Sequence, residues 1–281
     1  MKSYQSIYLD SPLIKDRCLD IFEPDNPSCD IALFFVHGGG WSGGTHTFCH
    51  ALMEAFNDRG IICATTGYRL SAVTALDQLT DIRESYDFFV NYLKERQRPP
   101  KVAVFGSSAG AHLASLLLCT KPGECGDRPK LKMPYLPPVC GILQSTPTQF
   151  TPWDDIFPHI WGSMQNIAGV SYQENPGRYE ALSLCRYIRK DNPKLFFAEA
   201  QNEHMFPPEM TYSLMQKHNA MGIASQWKMY KNVEHGFFYD LSRWQQRLLF
   251  EDIIHFICGE TVPVSAEEQG RGELFLKMTH C

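Results

Sequence analysis

Residues 104–118 read VFGSSAGAHLASLLL, two adjacent serines between glycines, with a histidine four residues after the second. A serine hydroxyl is a weak nucleophile at neutral pH; it needs a base to take its proton and an exposed position from which to reach substrate. A tight strand-to-helix turn supplies that exposure when glycine stands two residues before and two after the serine. In GSSAG the pattern G-x-S-x-G centres on Ser108, flanked by Gly106 and Gly110, and leaves Ser107 in the variable position. The pattern alone arises by chance roughly 0.1 times in a chain of this length. Here it follows the apolar run KVAVF and opens an apolar helix, which is the context the chemistry requires. The blander alternative is a glycine-rich helix start that holds an anion.

Attack on an acyl carbon creates an oxyanion, which needs backbone N–H donors fixed beforehand. HGGGW, residues 37–41, ends an earlier apolar run in the required chain order. Histidine followed by three glycines arises by chance roughly 0.003 times per chain, so a merely flexible turn is the weaker reading. A phosphate loop is weaker still, because the Gly-Lys-Ser/Thr ending is absent.

The proton must go to a histidine. His112 lies one helical turn after Ser108, but it sits in the apolar AHLASLLL and reads as a structural histidine inside a buried helix. His235, in YKNVEHGFFYD, follows the last expected strand and can fall back over the serine turn. His159, His204 and His218 lack that placement. The imidazole in turn needs an acid to hold its tautomer and stabilise its cation. In the chain order Ser, acid, His, the acid follows the strand KLFFAEA, where Glu203 stands three residues past Ala200. Glu199, within that strand, and Glu234, beside His235, are the rivals.

The elements that must position these groups alternate. Short apolar runs at 31–41, 61–70, 101–106, 139–146, 194–200 and 225–230 read as strands. Helical spacing covers 48–60, 75–100, the stretch AGAHLASLLLC, 207–222 and 238–259. Such alternation predicts an α/β fold, a mostly parallel sheet with helices on both faces. The first ~25 residues alternate in the manner of edge strands. Residues 120–138, rich in Pro, Gly and Lys, read as a loop, and 147–192 as a helical excursion that is either a lid, a pocket wall or peripheral packing. The whole chain, 1–281, reads as one domain containing that excursion.

Composition bounds the rest. The 281 residues carry a net charge of −5 with no basic block, which argues against a nucleic-acid partner. No apolar run reaches the length of a membrane span, and the first residues lack the apolar centre of a signal peptide. A cytoplasmic location is expected. The ten cysteines form no CxxC pair, so they read mostly as small buried hydrophobes in a reducing compartment, not as a zinc site.

The motifs HGGGW, GYRL, GSSAGAHLA, AQNEHMFPP and NVEHGF, in this order, resemble the α/β-hydrolase superfamily over nearly the whole chain. The likeness is greatest to the small esterases related to hormone-sensitive lipase, including the bacterial carbohydrate acetyl and feruloyl esterases. The resemblance implies Ser108 as nucleophile, Glu203 as acid and His235 as base. It also implies an oxyanion hole from the N–H groups of Gly39, Gly40 and Ala109, and no metal or cofactor. Trp41, closing the glycine loop, is expected to bind substrate, a small-molecule ester. Three departures stand out: glutamate where aspartate is usual, Ser107 where Asp or His is common before the nucleophile, and SAVTALDQ after YRL in place of Pro and acidic residues.

The expected activity is hydrolysis of short-chain or aromatic acyl esters through an acyl-enzyme. An arylformamidase-like amidase is the alternative. Those enzymes tend to carry tyrosine in place of the third glycine, here Gly40. A non-catalytic ligand-binding hydrolase fold is a third reading, disfavoured because no triad member is missing.

Overall fold

The computed structural model describes residues 4–10, 14–266 and 269–270; Cys281 lies outside the described residues. Eight strands form one sheet: β1 (Tyr4–Tyr8), β2 (Cys18–Phe22), β3 (Ile31–Val36), β4 (Cys63–Thr66), β5 (Lys101–Ser107), β6 (Cys140–Gln144), β7 (Lys194–Asn202) and β8 (Gln226–Glu234). Their spatial order is β1-β2-β4-β3-β5-β6-β7-β8. From β4 to β8 all neighbours are parallel, with Leu33 opposite Cys63 and Ile31 opposite Lys101 on either side of β3. The β1–β2 and β2–β4 pairs are antiparallel.

Among the described residues the sheet is accompanied by seven helices: α1 (His50–Asp58), α2 (Ala75–Glu95), α3 (Ala109–Cys119), α4 (Pro158–Ala168), α5 (Pro176–Ala181), α6 (Pro208–Ala220) and α7 (Trp244–Ile257). The apolar runs are continuous because both faces of each central strand are covered. Phe34, Val36, Val102 and Val104 pack with α2 and α3 on one face, and Leu33, Phe35, Ala103 and Phe105 with α1 and α7 on the other. Among the described residues no helix is long and apolar enough to cross a membrane.

The sequence expectation for the amino-terminal strands needs correction at β2. It is not an edge strand: it lies between β1 and β4 and is buried at every position. Its one charged residue, Asp20, is taken up by the Ser6 hydroxyl at 2.6 Å and by His50 at 2.9 Å. Helix α7 begins at Trp244, not at 238, because Asp240 turns the chain by accepting from the Ser242 N–H at 3.0 Å. Six of the nine described cysteines are buried and all nine are free thiols.

The segment 120–138 has no helix or strand but is firmly docked. The N–H groups of Arg128, Lys130 and Lys132 donate to Thr80, Glu84 and Asp87 on one face of α2, at 3.1, 2.9 and 2.8 Å. Beneath them Arg83 and Asp127 form an ion pair of 2.8 Å between fully buried side chains. Breaking such a pair from one side leaves a bare buried charge. Arg83→Met is therefore expected to cost about 3–5 kcal/mol in urea unfolding, and Arg83→Met with Asp127→Leu to recover much of it.

Two further buried groups set an acid limit. Burial lowers His37 and His112 from the ordinary 6.5 to about 4. The unfolded chain protonates these rings below about 6.5, the folded chain only near 4, so stability is complete above that window and falls as pH drops through it. Urea midpoints measured between pH 7 and pH 4 should fall, by at most about 3 kcal/mol for each ring. A His112→Gln variant should show a shallower decline.

Candidate active site

The carboxyl ends of the parallel strands carry every candidate group, where ligands bind in open α/β sheets. Ser108 follows β5, Glu203 follows β7, His235 follows β8 and the glycine loop follows β3. Ser108 has φ 53° and ψ −123°, outside the regions open to ordinary L-residues. The flanking glycines make the turn possible. A Cβ on Gly106 would stand 2.5 Å from the Gly110 carbonyl oxygen, and one on Gly110 would stand 2.2 Å from that of Val36. Either contact would force α3 away from the sheet and shift the serine from its place at the cavity.

The Ser108 hydroxyl lies 2.8 Å from Nε2 of His235, and Nδ1 of the same ring lies 2.7 Å from Oε2 of Glu203. A carboxylate only accepts, so Nδ1 carries the proton and Nε2 is free to accept from the serine. The Glu203 side chain is fully buried and that of His235 is 13% exposed. Burial alone would raise the Glu203 carboxyl. The hydrogen bond and charge of His235, with the Met205 N–H and the Ser145 hydroxyl, outweigh it and hold the group below the usual carboxylate range.

The other candidates are engaged elsewhere. Ser107 donates its hydroxyl to Gln144 at 2.7 Å. Glu234 is paired with Arg243 at 2.9 Å, and burial drives the Glu199 carboxyl well above its usual range. His112 accepts from the Trp41 indole N–H at 3.1 Å through Nδ1, so its Nε2 carries the proton and donates to the Leu182 carbonyl at 2.7 Å.

The glycine loop is held from both ends. His37 stacks on Tyr68 at 4.3 Å and 12°, the Tyr68 hydroxyl donates to the His37 carbonyl at 2.8 Å, and Nδ1 of His37 donates to the Gly38 carbonyl at 2.7 Å. The Gly43 N–H closes a turn onto the Gly39 carbonyl at 2.9 Å. Gly39 and Gly40 line the cavity above Ser108. Ala109 is the first residue of α3, so its N–H has no acceptor within the helix.

The cavity measures about 640 Å³ and is mostly apolar, with Phe48, Ile160, Met205, Phe206, Phe238 and Tyr239 in its wall. Trp41 also lines it, although the residue is only 2% exposed and its indole N–H is spent on His112. The excursion contributes His159, Ile160 and Ser163 of α4.

Sequence reasoning missed four contributors. Ser145, at φ 50° just after β6, accepts from the Gly236 N–H at 3.5 Å beside His235. Its signal was its place after the strand VCGILQ, one strand from Ser108. Phe48 is 66% exposed at the rim, and nothing in its spacing marks it. Phe238 and Tyr239 were hidden by the helical pattern that continues through them.

The sequence pattern of the BD-FAE family matches residues 19–218. LipM of Mycobacterium tuberculosis, a probable carboxylic ester hydrolase, is 26% identical over 67% of this chain and 46% of its own length. A kynurenine formamidase of Salmo salar is 26% identical over 46% of this chain and 43% of its own length. The chain thus spans about half the length of these two relatives. The structure of Thermogutta terrifontis esterase 2 phosphonylated by sarin superimposes with a TM-score of 0.70 at 19% identity, covering 88% of this chain and 91% of that one. That likeness speaks for the fold, and the sheet order and the strand-end placement of the site agree with it. The chain has the α/β-hydrolase fold and belongs to the BD-FAE family.

Proposed function

We propose that this chain is a serine esterase acting on short-chain or aromatic acyl esters through an acyl-enzyme. The observation that carries this reading is the unbroken chain of hydrogen bonds from Ser108 through His235 to Glu203 at an apolar cavity. Ser108 Oγ attacks the ester carbonyl as its proton passes to Nε2 of His235. Glu203 stabilises the imidazolium through Nδ1–H, and the N–H groups of Gly39, Gly40 and Ala109 receive the oxyanion. Collapse expels the alcohol, which takes the proton from His235. Water then repeats the sequence on the acyl group and releases the acid.

The test is turnover of p-nitrophenyl acetate together with phosphonate labelling read by mass spectrometry. Ser108→Ala and His235→Ala should each lose on the order of 10⁴-fold or more in kcat. Ser107→Ala should keep most activity. Glu203→Gln should keep the circular dichroism of the wild type and still lose on the order of 10⁴-fold, because the imidazole then loses its anchored tautomer. A label on Ser107, or near-wild-type turnover in Glu203→Gln, refutes the assignment.

The likeness to a kynurenine formamidase favours a second reading, formamide cleavage. N-formylkynurenine carries a charged amino-acid head. Among the described residues, no Lys, Arg, Asp or Glu lines the cavity. Placing charges there unpaired is costly. The expected kcat/KM for p-nitrophenyl butyrate exceeds that for N-formylkynurenine by on the order of 100-fold or more. The reverse order would select the formamidase.

A further inference from the structure

Behind the glycine loop, away from the serine, lies a second cavity of about 280 Å³, walled by Cys18, Asp20, His46 and the backs of His37 and Tyr68. Three elements deliver unlike donors to it: Cys18 and Asp20 come from β2, His46 opens the turn His46–Cys49 after the glycine loop, and Ser6 comes from β1. One donor atom from each of Cys18, Asp20 and His46 lies within 4.8 Å of the others. Nε2 of His46 stands 3.2 Å from Oδ2 of Asp20, and Cys18 Sγ stands 3.4 Å from Oδ1. The two contacts run to different oxygens of the one carboxylate, so a single ion within reach of zinc–nitrogen and zinc–oxygen bonds of about 2.0–2.2 Å and a zinc–sulfur bond of about 2.3 Å would take the Asp20 carboxylate through both oxygens or after a small turn of it.

We infer that Cys18, Asp20 and His46 form a zinc site, with its fourth position open to this cavity. The donor set suits zinc, a borderline ion that accepts thiolate, imidazole and carboxylate together. Binding releases the Cys18 thiol proton to solvent, and thiolate plus carboxylate then balance the two charges of the ion. A neutral centre is the form a site this buried can hold, Cys18 being 3% and Asp20 1% exposed. The outer support exists already. The Ser6 hydroxyl donates to Oδ1 of Asp20 at 2.6 Å, and His50 Nε2 stands 2.9 Å from Oδ2, so the carboxylate is oriented from two sides. On the far side of His46, a Cβ added to Gly67 would lie 3.2 Å from Nδ1, so the ring is seated against backbone. Bound zinc would join the first strands to the turn that ends the glycine loop.

The test titrates zinc chloride into the full chain after dialysis against a chelator, read by calorimetry. One zinc per chain with a dissociation constant at or below the micromolar range is expected. Cys18→Ser and His46→Gln should each weaken it at least tenfold, while Cys185→Ser, at an exposed cysteine elsewhere, should not. Cobalt loading of the unmutated chain gives a check that does not depend on variants folding, since a thiolate-to-cobalt charge-transfer band reports sulfur ligation. Absence of stoichiometric zinc, absence of that band, or a folded Cys18→Ser or His46→Gln variant that binds as tightly as wild type would overturn the site.

Discussion

The backbone at Ser108 is the constraint on which the site depends. A non-glycine residue at φ 53° and ψ −123° stores about 1–3 kcal/mol of strain and persists only where its surroundings over-determine it. They do so here from three directions. The Ser108 N–H donates to the Gln144 carbonyl on β6 at 2.9 Å, which ties the turn to the neighbouring strand. Its carbonyl accepts the first bond of α3 from the His112 N–H at 3.0 Å. The missing Cβ atoms of Gly106 and Gly110 let α3 press against the ends of β5 and β3. Each tie belongs to the fold, so rotation of the serine away from His235 would require a strand or helix end to move.

The glycine loop is fixed by the same logic with neutral groups. Trp41 donates to His112, which donates onward to the Leu182 carbonyl at the end of α5. The Gln78 side chain of α2 donates to the Trp41 and Arg69 carbonyls at 2.6 and 2.8 Å. The ring of His112 also stacks on Phe150 at 4.3 Å. One buried histidine thereby joins the loop, the helix that follows Ser108 and the excursion that walls the cavity. Burial keeps it neutral, and neutrality gives it one donor and one acceptor, which this linkage requires. Both nitrogens are used, so losing either partner strands a buried polar group at about 1–3 kcal/mol.

How much of this was legible follows from the range of each signal. The central strands announced themselves because burial on both faces leaves no polar position, as in IALFFV and KVAVF. Ser108, Glu203 and His235 were legible because each sits within one residue of a strand end, and strand ends are local features. Asp20 misled for the opposite reason: a charged residue in mid-strand signals an exposed face unless something covers it. The covering groups, Ser6, His46 and His50, come from elsewhere in the chain. The juxtaposition of Cys18 and His46 was hidden similarly, since the two meet through strand pairing and loop return, which spacing does not encode. The start of α7 was overrun because Phe238 and Tyr239 continue the apolar period although their side chains serve the cavity.

Glu203 shows how the structure absorbs an unusual residue. Glutamate places its carboxyl one methylene further from the backbone than aspartate, so an unchanged loop would overshoot the imidazole. Here β7 runs to Asn202, and the chain turns at once, the Glu203 N–H donating to the Ala200 carbonyl at 3.3 Å. The side chain then folds back over its own loop. Oε1 accepts from the N–H groups of His204, Met205 and Phe206 at 3.0, 2.8 and 3.4 Å, which leaves Oε2 for His235. The extra length is thus consumed within four residues instead of being passed to the imidazole. Three backbone donors also supply the carboxylate with fixed hydrogen bonds that burial would otherwise deny it. A shorter acid in this loop could keep the amide donors or reach the histidine, but not both, so the glutamate and the tight turn after β7 are one device.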